Sequence, residues 1–343
     1  RSIPMFGWAF EMETPSSSST IITLLQAGLV EFLQRGQERA ILLRRSILVS
    51  VVQLLKEETS PLQIFRSGAG SDKYRSFWAK PAEEFCMVGL GRAAAVSVHG
   101  LLPVEEARRE CNRLTEDSIV VGPKIRGTGP VLMGAFRFDA QAQPTFPWED
   151  TPNGLLSLPR LLFTTLGRKT WLTVNIFVSA KSNISDEAAN VASSVEKLTT
   201  DLGTHIRTPR VLDQTHSSWE EWAGWMDQAM EVIGSGDLTK VVLSRRMIFH
   251  GDGPFSIETT LDSLCKTYPF CSVFAVGNGL ECFMGASPED LVRLENGQVR
   301  ASCLAGSAVR GATLEEEERL IKQLSNSAKD RREHEVVVTA ISQ

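Results

Sequence analysis

One glutamate of this sequence is predicted to lie on the face of a helix that the protein buries. In the stretch NSAKDRREHEVVV, residues 326–338, Glu333 falls near the middle of the apolar face that a period of about 100° per residue defines. The apolar residues of that face are Val336, Val337, Ala340 and Ile341. A buried carboxylate needs a cationic partner, since an unpaired buried charge is costly. The sequence leaves two partners open, an arginine across the core or a metal ion.

A tight β-hairpin is predicted between residues 283 and 306. Asn296-Gly297 stands between two runs of alternating polarity, which is the sequence signal of a two-residue type I′ turn. Such a turn places Glu295 opposite Gln298, and every further pair then has residue numbers with the same sum. The register of both strands therefore follows from the turn.

The same register brings a second carboxylate close to a glycine. It places Glu289 opposite Leu304, one or two residues from Ala305, Gly306 and Ser307. A glycine can adopt backbone conformations that expose N–H groups to an anion, so this segment is a candidate for binding a carboxylate. The alternative is a glutamate at the end of a strand that faces water.

Lys240 is the third residue that could do chemistry. It stands in LTKVVLSRR, residues 238–246, immediately before a predicted strand. A lysine whose pKa is lowered by burial can take a proton from water near neutral pH. By position alone, however, Lys240 is an exposed flank of that strand. His334 adjoins Glu333, but EHEVV lacks the H-E-x-x-H spacing, so no metal role follows for the histidine.

Composition narrows the classes of partner. The chain has 343 residues, 42% of them hydrophobic and 22% charged, and a net charge of −5, values typical of a globular protein. The sequence contains no basic block of the kind that binds nucleic acid. It also contains no apolar run of the ~18 residues that span a bilayer. The six cysteines form no C-x-x-C pair, which indicates reduced thiols. We therefore expect neither a nucleic-acid nor a membrane partner.

The elements that must position these residues are a mixture of helices and strands. Residues 1–46 are weakly organised apart from one amphipathic helix, TLLQAGLVEFLQRG, that is predicted to end at Gly36. From residue 47 onward, ILVSVVQL and TWLTVNIFVSA are typical of strands. The stretch SSWEEWAGWMDQAMEVIG predicts a helix whose Trp and Met stripe faces the core, and KVVLSRRMIFH predicts the strand that follows it.

Two further helices follow the predicted hairpin. TLEEEERLIKQL begins with Thr313 and Glu316 at the spacing of a capping box. A break at SNS separates it from the helix that carries Glu333. Asp330 lies in the first turn of that second helix, where a carboxylate is favoured by the helix dipole.

Three of these segments resemble the chorismate-utilising enzymes. They are LTKVVLSRR with Lys240, MGASPEDLV with Glu289 and KDRREHEVVV with Glu333, and CLAGSAVRG (303–311) stands with them in the same order. Within that group the chain is similar to the isochorismate synthases, and CLAGSAVRG is closer to the menaquinone-pathway form than to the siderophore form. SPLQIFRS, FWAKP, GLGRA, GAFRFD and LSLPR extend the resemblance over the N-terminal half, so that one domain would comprise residues 47–343.

The resemblance implies a fold and a reaction. The fold is a single α/β (α+β) domain with two large antiparallel β-sheets and flanking helices. The reaction is the magnesium-dependent conversion of chorismate to isochorismate, in which water attacks C2 and the C4 hydroxyl leaves. Lys240 would activate the water as a base, Glu289 would protonate the leaving hydroxyl, and Glu333 would be a magnesium ligand. The segment that would contact the ring carboxylate of the substrate is Ala305, Gly306 and Ser307.

Two related enzymes are weighed against this function. Anthranilate-type synthases carry Gln at the position of Lys240 in this motif, so the lysine favours water over ammonia as the nucleophile. Salicylate synthases share the lysine pattern and go on to eliminate pyruvate, which makes a salicylate synthase the alternative enzyme.

The other alternative is not an enzyme. The chain stops at TAISQ, within the Glu333 helix, where members of the family continue with a His-Pro-Thr-Pro motif, an arginine and further glutamates. We therefore expect either a C-terminally truncated piece that is inactive alone, or an inactive module with a structural or partner-binding role. The complete protein is expected to be a cytoplasmic monomer, or plastidial in a plant or alga.

Overall fold

The computed structural model describes residues 18–55, 59–70, 73–143, 149, 152–200, 209–279 and 281–342. The first 17 residues of the predicted N-terminal segment lie outside the described residues. The predicted domain boundary between residues 46 and 47 remains a prediction.

Eight α-helices lie within the described ranges, together with two 3-10 turns at Gly68–Gly70 and Pro81–Glu83. The helices are α1 (Ser18–Leu43), α2 (Pro61–Ser67), α3 (Pro103–Thr115), α4 (Ile184–Thr200), α5 (Trp219–Ser235), α6 (Ile257–Thr267), α7 (Leu314–Asn326) and α8 (Ala328–Ser342). Of these described helices, none is both long and apolar enough to cross a bilayer.

Fifteen β-strands are described in the same ranges. They are β1 (Ile47–Leu55), β2 (Tyr74–Lys80), β3 (Phe85–Leu90), β4 (Ala94–Val98), β5 (Ile119–Val121), β6 (Met133–Phe136), β7 (Gly154–Leu158), β8 (Leu161–Leu166), β9 (Lys169–Val178), β10 (Val211–His216), β11 (Met247–Gly251), β12 (Ser272–Asn278), β13 (Glu281–Ser287), β14 (Arg293–Glu295) and β15 (Gln298–Arg300).

The strands form one large sheet and three small ones. The large sheet has the order β13-β12-β2-β3-β8-β9-β1-β5, and its described registers are antiparallel except for the parallel pair β1 and β5. A second sheet has the order β4-β7-β6, and β10-β11 and β14-β15 are two-stranded ribbons. The predicted mixed α/β class is confirmed. The described residues form one large sheet, not two, because only β12 and β13 of the described strands after residue 209 join it, and the other four pair as two-stranded ribbons.

The chain divides into two compact units. Unit 1 comprises Arg1–Thr204 and Leu261–Ala286 and holds the eight-stranded and three-stranded sheets. Unit 2 comprises His205–Thr260 and Ser287–Gln343 and holds both ribbons with α5, α7 and α8. Each unit is described by itself below.

In unit 1 the helix α1 packs closely on the large sheet. A Cβ on Gly36 would lie 2.4 Å from Cγ2 of Val49 in β1 and 3.7 Å from Val178 in β9. The missing side chain lets the helix approach the strands, and the chain remains helical to Leu43. The prediction that this helix ends at Gly36 is therefore wrong, because this glycine serves helix–sheet packing and not termination.

Strands β8 and β9 of the large sheet carry two buried threonines whose hydroxyl groups form hydrogen bonds with the backbone of a loop. Thr173 of β9 accepts a hydrogen bond from the backbone N–H of Gly129 at 3.2 Å, and Thr164 of β8 donates to the carbonyl of Gly127. Both threonine side chains are fully buried. Since a buried hydroxyl without a partner is costly, these contacts fix the loop onto the sheet.

Unit 2 follows several local signals of the sequence. Ser218 and Glu221 form a complete capping box at the start of α5, and Gly236 ends the helix in the left-handed conformation. The predicted orientation of this helix is wrong, however. Trp219 and Met230 are 72% and 64% exposed, because the described residues provide no element that covers the apolar stripe.

The predicted strand KVVLSRRMIFH is only half formed. Met247–Gly251 pairs with β10 as β11, whereas residues 238–246 have no regular structure. This first half has no neighbouring strand in the described part of the chain, so nothing accepts its backbone hydrogen bonds in a ladder.

Candidate active site

All the residues predicted for the site lie in unit 2. Lys240 lies in the irregular segment between α5 and β11, Glu289 follows β13, and Glu333 lies in α8. The three residues predicted to contact a carboxylate, 305–307, follow β15 in an irregular segment. The short elements of unit 2 therefore decide which of these residues meet.

The predicted hairpin is confirmed in its turn and its register. Asn296 and Gly297 have φ angles of 51° and 76°, and positive φ at both central positions defines the type I′ turn. The β14–β15 ladder pairs Glu295 with Gln298 and ends at Arg293 with Arg300.

Beyond that ladder the two chain segments remain side by side without regular pairing. The backbone N–H of Ser302 donates to the carbonyl of Asp290 at 3.2 Å. Glu289 precedes this contact and is exposed, and its backbone N–H and carbonyl both contact the Ser287 hydroxyl, at 3.3 and 3.0 Å. The predicted pairing of Glu289 with Leu304 is not part of the described ladder, but the hairpin still brings Glu289 towards the 302–307 segment.

The 302–307 segment lies against α8. The thiol of Cys303 is 3.8 Å from the carbonyl oxygen of His334. Gly306 has a φ of +82°, and a Cβ built on it would lie 2.9 Å from Cβ of Asp330 and 3.0 Å from its Oδ1. The structure thus brings the candidate carboxylate-binding segment to the helix that carries Glu333.

Glu333 lies on the less exposed side of α8, but the predicted burial of that face is only partly formed, because no described residue of the helix is buried and Ala340 and Ile341 are exposed. The half-buried positions of this helix recur at helical spacing, and the exposed ones lie between them. The half-buried residues are Asp330, Glu333, Val336 and Val337. The only ionic partner of Glu333 in the described part of the chain is its neighbour on the helix, Lys329, whose Nζ is 4.0 Å from Oε1. The described residues therefore do not include the arginine that the sequence left open as a partner.

Asp330 is the residue of this site that the sequence reasoning missed. It was assigned only to the helix dipole, yet it lies half-buried on the same side of α8 as Glu333 and against Gly306. The signal was available, since residues three apart share a helix face. Asp330 thus lies against the segment where an anion is predicted to bind, and Glu333 lies one helical turn further along the same side of α8.

Lys240 is not brought into contact with these groups. Its side chain is half-buried and makes no hydrogen bond or ion pair with another described residue. In the same irregular segment, the guanidinium of Arg245 lies 5.8 Å from the centre of the Trp222 ring of α5. An exposed contact of this kind holds a segment only weakly.

A cavity of about 780 Å³ opens where the end of α7 meets the start of α8. Ala305 and Asp330 line it together with Arg331, Arg332 and His334, but Glu333 does not. The cavity therefore offers cations beside the predicted anion-binding segment and does not include the proposed metal ligand.

The metal requirement can be tested against the donors present. No group of three or more His, Cys, Asp and Glu side chains within the described ranges could hold an ion. Mg²⁺ needs fewer protein ligands, because it prefers hard oxygen donors and usually keeps several waters with one or two carboxylates. Glu333 is half-buried, and its one ionic partner among the described residues is the Lys329 amine at 4.0 Å, so it fits such a role.

Comparison with known proteins gives one family. A family model described as "Chorismate binding enzyme" matches residues 34–343. The chain is 28% identical over 335 residues to the isochorismate synthase MenF of Bacillus subtilis, which covers 94% of this chain and 69% of that protein. It is 29% identical over 311 residues to the salicylate biosynthesis isochorismate synthase of Pseudomonas aeruginosa, covering 89% of this chain and 63% of that protein.

A solved structure shares the fold. MenF, the menaquinone-specific isochorismate synthase from Escherichia coli, matches with a TM-score of 0.67 at 21% identity, over 90% of this chain and 67% of that chain. The chain therefore spans about two thirds of the length of these similar proteins.

Proposed function

The chain belongs to the chorismate-binding enzyme family, and we propose that the protein converts chorismate to isochorismate. The observation that carries this proposal is the approach of Gly306 to α8 at Asp330, three residues before Glu333. That approach supports the proposal, because the segment proposed to bind the ring carboxylate then meets α8 one helical turn from the residue proposed to bind the metal. The names of the similar proteins from Bacillus subtilis and Pseudomonas aeruginosa support the same reaction.

Lys240 and Glu289 are proposed to handle the protons of this reaction. Water is a weak nucleophile, so a base must take its proton as its oxygen bonds to C2. Hydroxide is a poor leaving group, so an acid must protonate the C4 hydroxyl as the C4–O bond breaks. Lys240 is proposed as the base and Glu289 as the acid. One water adds and one water leaves, which balances the isomerisation.

Glu333 is proposed to hold Mg²⁺, and Ala305, Gly306 and Ser307 to hold the ring carboxylate. When bound, the ion would supply the positive charge that offsets the carboxylates of substrate and protein. The left-handed conformation of Gly306 supports the second role, because a turn with positive φ can direct successive N–H groups towards an anion.

Lys240 also bears on the nucleophile. A lysine at this motif position supports water, as against the ammonia used by anthranilate-type synthases. The relative from Pseudomonas aeruginosa is named for salicylate biosynthesis, so salicylate formation is the second candidate function. The proposal further takes the complete protein as a cytoplasmic monomer.

To test the proposal, two proteins are expressed, residues 1–343 and the full-length protein encoded by the reading frame that contains them. Each protein is then incubated with chorismate and Mg²⁺. Chromatography should detect isochorismate with the full-length protein and none with residues 1–343 alone, and a chelator should abolish its formation. Salicylate and pyruvate as the primary products would favour the second candidate. Anthranilate formed with ammonium would refute the water nucleophile. If neither expressed protein binds or converts chorismate, a structural or partner-binding role would be favoured.

A further inference from the structure

Gly306, in the segment after the hairpin, lies close against Asp330 of α8. The Cβ position of residue 306 is already occupied, since it lies 2.9 Å from Cβ, 3.2 Å from Cγ and 3.0 Å from Oδ1 of Asp330. A Cβ–Cβ distance of 2.9 Å is essentially never seen in proteins, so a side chain at residue 306 would force the segment and the helix apart by at least a few tenths of an ångström. Part of this obstacle is Cβ of a helical residue, which rotation of the aspartate cannot remove.

Two other contacts hold the start of the same segment, one to the chain before the hairpin and one to α8. Ser302 is tied through its backbone to Asp290, which follows Glu289, and the Cys303 thiol lies against the carbonyl of His334. Gly306 on Asp330 is therefore the last fixed point before residue 307. The next described contacts along the chain are those of Arg310 and Gly311 with Glu317 of α7, so the contact of Gly306 with Asp330 lies between two attached ends of the segment.

We propose that Asp330 is a positioning residue, whose side chain packs against Gly306 and sets the distance between the 305–307 backbone and Glu333. The proposal rests on the proposed function, because the distance matters only if these two groups hold the same substrate and ion. Asp330 acts through the segment. Its carboxylate needs no contact with substrate for this role.

The placement of Asp330 on α8 explains why this contact sets that distance. Asp330 and Glu333 lie one helical turn apart on the same half-buried side, and a helix is rigid over one turn. A displacement of residue 306 from Asp330 is therefore a displacement of the 305–307 backbone from Glu333.

The test uses a pair of substitutions and their combination, Gly306→Ala, Asp330→Gly and Gly306→Ala with Asp330→Gly. The new methyl group in Gly306→Ala meets the aspartate, and the second substitution removes the obstacle. Gly236→Ala is the control for backbone strain, because Gly236 has a φ of +85° with no atom within 4 Å of its Cβ position. Arg331→Gly is the control for placing glycine in the first turns of α8, since Arg331 is an exposed neighbour.

The first readout is alkylation of Cys303 in the 343-residue chain, followed by peptide mass spectrometry with Cys282 as the internal reference. Cys303 is half-buried where the segment meets α8, so its reactivity reports whether the segment stays in place. We expect Gly306→Ala to raise its alkylation rate by roughly tenfold, through more frequent local opening. The combined variant should return most of the way to the parent rate, and Gly236→Ala and Arg331→Gly should leave the rate unchanged.

The second readout is the KM for chorismate and the Mg²⁺ concentration at half-maximal rate, measured in the active protein. Gly306→Ala should raise the KM for chorismate more than it lowers kcat, and the combined variant should recover part of that loss. A combined variant that stays as reactive at Cys303 as Gly306→Ala would overturn the proposal. So would an Asp330→Gly variant that changes only the Mg²⁺ requirement. If the Cys303 results hold and no protein turns over chorismate, the contact stands and the proposed function fails.

Discussion

Unit 1 and unit 2 place their apolar side chains in opposite ways. All the buried hydrophobic residues described in the chain belong to unit 1, among them Phe65, Phe163 and Leu172. In unit 2, none of the described residues of α5, α7 and α8 is buried. Unit 1 is therefore held by packing across a sheet, and unit 2 by turns, caps and single contacts.

This difference separates stability from chemistry along the chain. The residues proposed for the reaction all lie in unit 2, which has little core of its own. Loops and short elements of this kind open at low free-energy cost. Substitutions in unit 1 should therefore change the free energy of unfolding, and substitutions in unit 2 should change turnover or association.

The largest expected effect is on turnover, from unit 2. Lys240→Ala should lower kcat by roughly 10²–10⁴-fold with a smaller change in KM, as loss of a general base does. Lys322→Ala, an exposed lysine of α7, is the matched control and should be active. Steady-state kinetics on chorismate checks both. Parent-like activity in Lys240→Ala would make this lysine a solvent-exposed flank.

The next effect is on unfolding, from unit 1. Phe163 is fully buried in β8, so Phe163→Ala should lower the free energy of unfolding by about 3–5 kcal/mol. Leu294 in unit 2 is 71% exposed. Leu294→Ala should therefore change the free energy of unfolding by less than about 0.5 kcal/mol. Urea titration followed by circular dichroism measures both values. Equal losses would mean that the two units do not differ as described.

A smaller effect is expected on association. The 343-residue chain should bind a dye for apolar surfaces and self-associate, because unit 2 exposes large apolar side chains such as Trp219, Met226 and Met230. Trp219→Lys combined with Met230→Lys should reduce dye fluorescence by about twofold without loss of stability, and Glu231→Lys on the same helix is the control. Sedimentation gives the oligomeric state. A sharply melting monomer that binds no dye would contradict this expectation.

The smallest effect is a pH dependence within unit 1. Burial, with a further contribution from Asp262, raises the pKa of the Cys265 thiol from 9.0 to about 11. The folded state therefore holds this proton more tightly, so the contribution is present below pH 9 and is lost as the pH rises through 11. Cys265→Ala should lose less stability than the parent between those values. Thermal melts from pH 8 to 11 compare the two slopes, and parallel slopes would refute the assignment.

Local signals of the sequence predicted much of unit 2. The register at Asn296-Gly297 and the N-cap of α7 at Thr313, whose hydroxyl accepts from the Glu316 N–H, each depend on residues a few positions apart, so pattern alone suffices. The inward side of Glu333 follows in the same way from the helical period. The resemblance of the motifs added the family and the proposed roles of Lys240 and Glu289, which no spacing within the chain contains.

The misses are cases in which a distant contact decides. A glycine in the position of Gly36 is typical of a helix end, but here Val49 of β1 occupies the space beside it. Asp330 looked like a dipole partner until the turn at Gly306 was found against it. The Trp and Met stripe of α5 predicts a face packed on a core. The sequence of one helix does not contain the information on whether another element covers it.

The order of strands in the large sheet has a consequence for synthesis of the chain. β2 pairs with β12, so that Ser76 meets Val276 some 200 residues later. The first segment of unit 2, His205–Thr260, is made between these two strands. A ribosome that releases the chain from its N-terminus onward therefore leaves the β2 edge without a neighbour until residue 278 has emerged, and pairings of such long range form slowly. Chaperones that shield strand edges should bind the nascent chain most strongly over that interval.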